Sequence, residues 1–407
     1  MGETSYQMNQ ANEPHVLRPS KSIKEIYGDN IVYNPKLYAT DYGHFSGDLL
    51  TLESLTGREL TVVGDVPVVC HASTTTDPAI ALLQKAGLHI PQYYTYENDK
   101  EYVEVLNKVH KQDKKMISQF PQPTDEVSHD LFWIDPKLHA YLCDKQNIPE
   151  LVPAEHVARR RLMSLDEILQ EKPKLPFVLK TGDGRTTAGG YGVVLVENED
   201  QLNSIDETFG DLSHIILEDY IEYDENISVH YVADKDGEIN FIGKSVQIVN
   251  DGSFRGSWIT TEIEDRYGDI VQTGYEVMNN ITKMGYVGVA GFDVLIKDGQ
   301  YYFIDLNIRF NASTCGLLLY KDIKNRFGKD TVRLCNFDWT DDFDDLIPVA
   351  EKYLDKEQFV PLSLLDADYF PDQKRVSKMI GLVIGDSVEE VENILEDMAQ
   401  DDLIVKE

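Results

Sequence analysis

Residues 291–314 read GFDVLIKDGQYYFIDLNIRFNAST, two apolar runs separated by Lys297-Asp298-Gly299-Gln300. Asp-Gly between apolar runs is a hairpin signal, so 292–296 is expected as one strand and the chain from Tyr301 onward as its return. Three oxygen-bearing side chains interrupt the runs: Asp293 on the first strand, Asp305 and Asn307 on the second. Asp305 and Asn307 are two apart and share a face of their strand. Hairpin pairing can bring Asp293 alongside them. Two carboxylates and an amide oxygen on one wall suit Mg²⁺, a hard cation that shares its shell with nucleotide phosphates. Arg309 follows on the same face, a cation beside the metal. Taken alone, the stretch also fits a surface hairpin with solvated polar residues, and the rest of the chain has to decide between the two.

The chain has 407 residues, enough for two or three subdomains, with 42% hydrophobic and 10% aromatic content, as in globular proteins. Its net charge of −33 argues against nucleic acid or an anionic membrane surface as the main partner, since both are polyanions. Cys70, Cys143, Cys315 and Cys335 show no paired metal or redox spacing and read as reduced thiols. The start, MGETSYQMNQ, lacks the basic and apolar regions of a signal peptide, and no apolar run reaches the length of a membrane span. A cytoplasmic protein is expected.

Residues 1–57 read as a polar arm. From Leu60 the pattern tightens: strand-like 60–63 and 66–70, a helix over 78–88, strand-like 92–96, an amphipathic helix over 99–112, and a strand over 115–120. Strands alternating with helices imply a small parallel α/β domain over 58–134. A helix over 136–147 follows, with Lys137 in its first turn; such a lysine is ordinarily solvated.

Residues 175–196 read LPFVLKTGDGRTTAGGYGVVLV. A strand ending in Lys180 runs into a loop with Gly182, Gly184, Gly189, Gly190 and Gly192, and a second strand follows at once. The loop lacks the Gly-Lys-Ser/Thr ending and following helix of a Walker A loop. A glycine-rich hairpin still closes over phosphates, because N–H groups approach closely where no Cβ intervenes. Lys180 would add an ammonium, and Thr186 and Thr187 hydroxyl donors. A flexible structural hairpin is the other reading.

The strand 214–221 then runs into an acidic segment with Glu222, Asp224 and Glu225, and strands are expected over 227–233 and 239–249. A loop with Arg255 and a helix over 267–284 lead to the hairpin. Residues 338–357, with Asp338, Asp341, Asp342, Asp344 and Asp345 close together, read as a solvated connector; a strand over 376–384 and a helix from Ser387, capped with Glu390 three residues on, complete a C-terminal β-α unit.

In this order the features resemble the ATP-grasp superfamily: strand-end Lys with Gly-rich loop, strand ending in Glu before an acidic linker, then acid and acid-x-Asn-x-Arg on a hairpin. The resemblance covers about 60–320, with D-alanine–D-alanine ligases and biotin carboxylases as the members whose motifs align; the tail is only loosely similar to ATP-grasp peptide ligases. It implies an α/β (α+β) ATP-grasp fold with an N-terminal parallel domain, an ATP-grasp domain over 135–335 with a lid at about 175–222, and a tail over 336–407. It also implies that Lys180 and the loop with Gly184, Gly189 and Gly190 hold ATP phosphates. Glu218, with backbone at Asp219 and Ile221, recognises adenine, and Glu225 binds ribose. Asp293, Asp305 and Asn307 hold Mg²⁺, with Mn²⁺ as an alternative. Arg309 meets the transferred phosphate or substrate carboxylate, and Lys137 falls near the family's first nucleotide-binding lysine. The chain departs from the pattern twice: Asp305 stands in place of the usual Glu, and Gly291 where D-alanine ligases carry an Arg. Oxyanion stabilisation would then fall to Arg309 or Arg255, and D-Ala–D-Ala synthesis itself is not expected.

The activity so implied is ligation of a small-molecule carboxylate to an amine through an acyl phosphate, with release of ADP and phosphate, by a homodimer. An ATP-grasp carboxylase, a thiol-forming ligase and a non-catalytic nucleotide-binding protein are the alternatives.

Overall fold

The computed structural model describes residues 16–37, 48–122, 127–184, 192–250 and 252–406. The alternating N-terminal segments form a parallel sheet of β1 (Ile31–Asn34), β2 (Val68–His71), β3 (Tyr93–Tyr96) and β4 (Lys115–Ser118), in the order β3-β2-β1-β4. Helix Asp99–Lys111 begins where the Asn98 side chain accepts from the Glu101 N–H, and buries Tyr102, Leu106 and Val109. Two expectations are corrected here. The supposed arm supplies β1, an interior strand of the sheet with all four residues buried; four residues are too few for periodicity to reveal. The apolar run at 60–63 is no strand but begins as a 3₁₀ turn, Glu59–Thr61, with Leu60, Val62 and Val63 fully buried. A short buried run does not specify its own backbone.

A second sheet, antiparallel, contains β5 (Arg160–Met163), β6 (Phe177–Thr181), β7 (Val193–Val196) and β8 (Ile215–Asp219) in the order β5-β8-β6-β7. It has its own core around Phe177, Leu179, Phe209 and Ile215. The glycine-rich segment joins β6 to β7, which pair with Lys180 opposite Val193. Thr186, Thr187, Gly189 and Gly190 lie outside the described residues.

The third sheet runs β13-β12-β9-β10-β11-β14-β16-β15, with a short ninth strand, β17, on β14. Its strands are β9 (Glu225–Ala233), β10 (Ile239–Asn250), β11 (Ser253–Thr260), β12 (Gly288–Lys297), β13 (Gln300–Asn307), β14 (Thr331–Trp339), β15 (Phe359–Leu365), β16 (Ser377–Gly385) and β17 (Ile404–Val405). Alternation along β9 gives the sheet two unlike faces. Ile227, Val229 and Tyr231 pack with Val277, Met278 and Ile281 of helix Gly268–Lys283. Asn226, Ser228 and His230 point the other way, towards the candidate site.

The acidic stretch at 338–357 is corrected as well. It finishes β14 and forms helix Phe343–Asp355, capped by Asp342, burying Phe343, Leu346, Ala350 and Tyr353. The aspartates hid an amphipathic pattern whose apolar face packs in the main core. The C-terminal strand and helix are present as β16 and Val388–Gln400, and the Glu390 N–H donates to Ser387 Oγ at 3.1 Å. No described helix is long and apolar enough to cross a membrane.

Candidate active site

β12 and β13 are joined through Asp298 and Gly299, with φ of 50° and 78°. Positive φ at both residues is what a type I′ turn requires, and Asp-Gly supplies it. That turn sets the register from Lys297 opposite Gln300 to Val294 opposite Phe303, and a bulge at Ile304 then brings Asp305 opposite Asp293. The linker before β9 grips the same turn: Asp224 accepts the Asp298 N–H at 2.8 Å and pairs with Lys297 at 3.1 Å.

The Asn307 amide nitrogen donates to Asp293 Oδ2 at 3.1 Å, leaving its amide oxygen for a cation, and Gln247 Nε2 donates to Asp293 Oδ1 at 2.6 Å. Lys145 Nζ lies 2.5 Å from Asp305 Oδ1. Burial pushes the Asp293 carboxyl well up, and the Asp305 charge adds to it. Asp305 moves down despite its burial, because Lys145, Arg309 and Lys180 favour its charge. Two half-buried carboxylates stand side by side with one close ammonium, on Asp305, so a divalent cation would complete the charge balance, and the oxygen donors suit Mg²⁺. Among the described residues no three His, Cys, Asp or Glu side chains converge as a metal cluster; the oxygen donor beside the two carboxylates is the Asn307 amide.

Lys180 Nζ donates to the Ile304 carbonyl at 2.9 Å and lies 2.6 Å from Glu218 Oε1, while Arg160 holds the other Glu218 oxygen. Arg160 also donates to the Lys145 carbonyl at 3.0 Å. The second sheet and the hairpin thus meet through one network of cations and carboxylates. Burial draws the Lys180 ammonium down, against the pull of Glu218.

The remaining residues singled out from the sequence are placed as follows. Both Glu218 oxygens are engaged by cations, and the Asp219 N–H donates to the Arg159 carbonyl at 2.9 Å. Ile221 is half-buried in the linker between β8 and β9, and Glu225 pairs with Arg266 and accepts from the Tyr267 hydroxyl. Gly184 has φ 80°, and a Cβ there would lie 3.4 Å from Asp144 Oδ2. The Arg309 guanidinium stacks 4.9 Å from the Phe120 ring centre, and His139 Nε2 lies 3.3 Å from the Ile308 carbonyl beside it. Arg255 sits on β11, half-buried, three strands from β12. A Cβ at Gly291 would lie 2.5 Å from Asn311 Nδ2 and 2.9 Å from His230 Cε1, so an arginine has no room there.

Lys137 stands apart from the hairpin. It is exposed at the start of helix Pro136–Cys143, where its N–H is capped by Asp135. The lysine from this stretch that reaches the hairpin is Lys145, in the following 3₁₀ turn. Sequence reading also missed Arg160 and Gln247. The run Arg159-Arg160-Arg161 in so acidic a chain was the available signal for the first; Gln247 carried none.

A family model described as the ATP-grasp domain of L-aspartate–L-methionine ligase matches residues 158–307, and one for the N-terminal domain of that ligase matches 22–140. A formate-dependent phosphoribosylglycinamide formyltransferase of Nitratiruptor is 25% identical over 177 residues, 41% of this chain and 44% of that protein. The corresponding enzyme of Prochlorococcus marinus is 24% identical over 129 residues, 30% of this chain and 33% of its own. A biotin carboxylase of Haemophilus influenzae is 26% identical over 152 residues, 34% of this chain and 32% of its own. The chain therefore spans less than half the length of these curated relatives. Among solved structures, the Staphylococcus aureus N5-carboxyaminoimidazole synthetase complexed with ADP has TM-score 0.57 at 13% identity, covering 90% of this chain and 96% of its own. The L-amino acid ligase of Bacillus licheniformis has TM-score 0.55 at 12% identity, covering 93% and 98%. The family-model match and the shared fold agree, and the chain belongs to the ATP-grasp superfamily.

Proposed function

We propose that this protein is an ATP- and Mg²⁺-dependent carboxylate–amine ligase that joins the carboxylate of aspartate to the amine of methionine, releasing ADP and phosphate. The observation that carries the reaction class is the Asp293–Asp305–Asn307 oxygen set, flanked by Lys145, Lys180 and Arg309. The amino-acid pair comes from the description of the matching models.

The residues act mainly by position and charge. Asp293, Asp305 and the Asn307 amide oxygen would hold Mg²⁺, which when bound neutralises charge on the transferred phosphoryl group. Lys180 and Lys145 would exchange their present carboxylate partners for phosphate oxygens. Arg309, held from behind by the Phe120 ring, would orient the accepting carboxylate. The acid then attacks the γ-phosphorus, its C–O oxygen bonding to phosphorus as ADP leaves. The amine nitrogen next attacks the activated carbon, and phosphate departs with the C–O electron pair. The test is mass spectrometry of protein incubated with ATP, MgCl₂, L-aspartate and L-methionine. A dipeptide and equimolar ADP are expected; no amino-acid-dependent ADP with this pair, or with any pair of a 20-amino-acid panel, would refute the ligase reading.

A further inference from the structure

Asp293 and Asp305 stand opposite each other in the hairpin but are held in different ways. Asp305 has an ammonium, Lys145 Nζ, 2.5 Å from its Oδ1. The hydrogen-bond donors on Asp293, among the described residues, are neutral. Gln247 Nε2 donates to its Oδ1 at 2.6 Å, the Asn307 amide nitrogen donates to its Oδ2 at 3.1 Å, and the Ser228 hydroxyl bonds to the same carboxylate. Ser228 and Asn307 come from the two strands that flank β12, and Ser228 is the register partner of Asp293. Gln247 comes from further away. It lies on β10, two residues beyond Ser245, which is itself the partner of Ser228. Two strand spacings, about 10 Å, separate β10 from β12, and a long side chain crosses β9 to close that gap.

These donors set how much of the carboxylate is left for a cation. An ionised carboxylate has about four lone-pair positions. Three donors leave about one, enough for contact through a single oxygen but not for chelation through both. Mg²⁺ demands a tight octahedral shell, whereas the larger Ca²⁺ takes carboxylates through one or both oxygens in looser arrangements. The neutrality of the donors matters as well. A lysine or arginine at 247 could restrain Asp293, but its charge would oppose the cation. An amide restrains the carboxylate and leaves its charge in place.

We propose that Gln247 is a positioning residue that holds Asp293 to one-oxygen contact with the cation, and so favours Mg²⁺ over Ca²⁺ at the hairpin. Gln247 acts through Asp293 and is not itself a ligand. This rests on the metal assignment made above.

The experiment displaces Mn²⁺ from the full-length protein with Mg²⁺ or Ca²⁺ in the presence of ADP. Free Mn²⁺ is read by electron paramagnetic resonance, with ADP alone as the blank. Gln247→Leu fills similar space without a donor, and Gln247→Asn keeps an amide that is one methylene short. In both variants Mg²⁺ should bind about tenfold more weakly, as when a group behind a metal ligand is lost. Ca²⁺ affinity should hold or rise, so the preference for Mg²⁺ over Ca²⁺ falls by about the same factor. Equal weakening of both ions, or an unchanged preference in both variants, would overturn the inference and leave the metal assignment standing. A wild-type protein that binds no Mn²⁺ with ADP present would instead remove the metal assignment, and this inference with it.

Discussion

Lys145 Nζ reaches across from the end of the N-terminal segment to lie 2.5 Å from Asp305 Oδ1, with its side chain only 12% exposed. The ammonium thus occupies the wall of the site where nucleotide phosphate is proposed to bind. The contact joins a 3₁₀ turn to a strand 160 residues later. Lys145→Met should weaken an ATP analogue by roughly 1.5–3 kcal/mol, the value of a hydrogen bond to a charged group. Isothermal titration calorimetry reads this directly, and unaltered affinity would reduce Lys145 to a structural partner of Asp305.

The metal assignment makes a separate claim. Asp293→Asn removes a proposed ligand charge, and Asn307→Ala the third oxygen. Each should raise the Mg²⁺ concentration for half-maximal turnover by at least about tenfold, as for loss of one good ligand. Thermal unfolding should change far less, and Asp293→Asn should not destabilise the metal-free protein, since it relieves the repulsion with Asp305. Normal Mg²⁺ dependence in both variants would sink the hairpin assignment.

How much of this was legible in the sequence depended on whether the signal was local. The Asp298-Gly299 turn and the polar residues at period two identified the hairpin, but the bulge at Ile304 that moves Asp305 opposite Asp293 left no local signal. The strand carrying Lys180 was legible for the same reason as the turn. Lys145 was not: its place at the hairpin comes from a contact 160 residues away, so Lys137, in the same neighbourhood, was as good a candidate. The carboxylate of Glu218 shows a similar limit, because its partners Arg160 and Lys180 come from two other strands. The connector at 338–357 was misread because its aspartates sit on the exposed side of a helix whose buried side carries Phe343, Leu346 and Tyr353. β1 was hidden by brevity alone.

His139 gives a pH prediction. It is 5% exposed, with Nε2 3.3 Å from the Ile308 carbonyl, next to Arg309. Burial lowers its pKa to about 4, and the Arg309 charge adds to the effect. The unfolded chain therefore binds the proton more readily between its ordinary value, 6.5, and about 4. Stability is full above that window and falls as pH drops through it, by about 3 kcal/mol from this group. His139→Asn, which keeps a donor for the carbonyl, should flatten urea-unfolding stability over the window relative to the wild-type protein. Parallel profiles for the two proteins would show that His139 is protonated as readily in the fold as outside it.

The central claim is that a carboxylate is activated as an acyl phosphate at the Asp293–Asp305–Asn307 hairpin. The most direct measurement is oxygen tracing: L-aspartate labelled with ¹⁸O in its carboxyl groups is incubated with ATP, MgCl₂, L-methionine and the protein, and the released inorganic phosphate is analysed by mass spectrometry. The account predicts ADP as the nucleotide product and one ¹⁸O atom in each phosphate released, because the attacking carboxylate oxygen leaves with phosphorus. Unlabelled phosphate, or label carried into AMP with release of pyrophosphate, would contradict it.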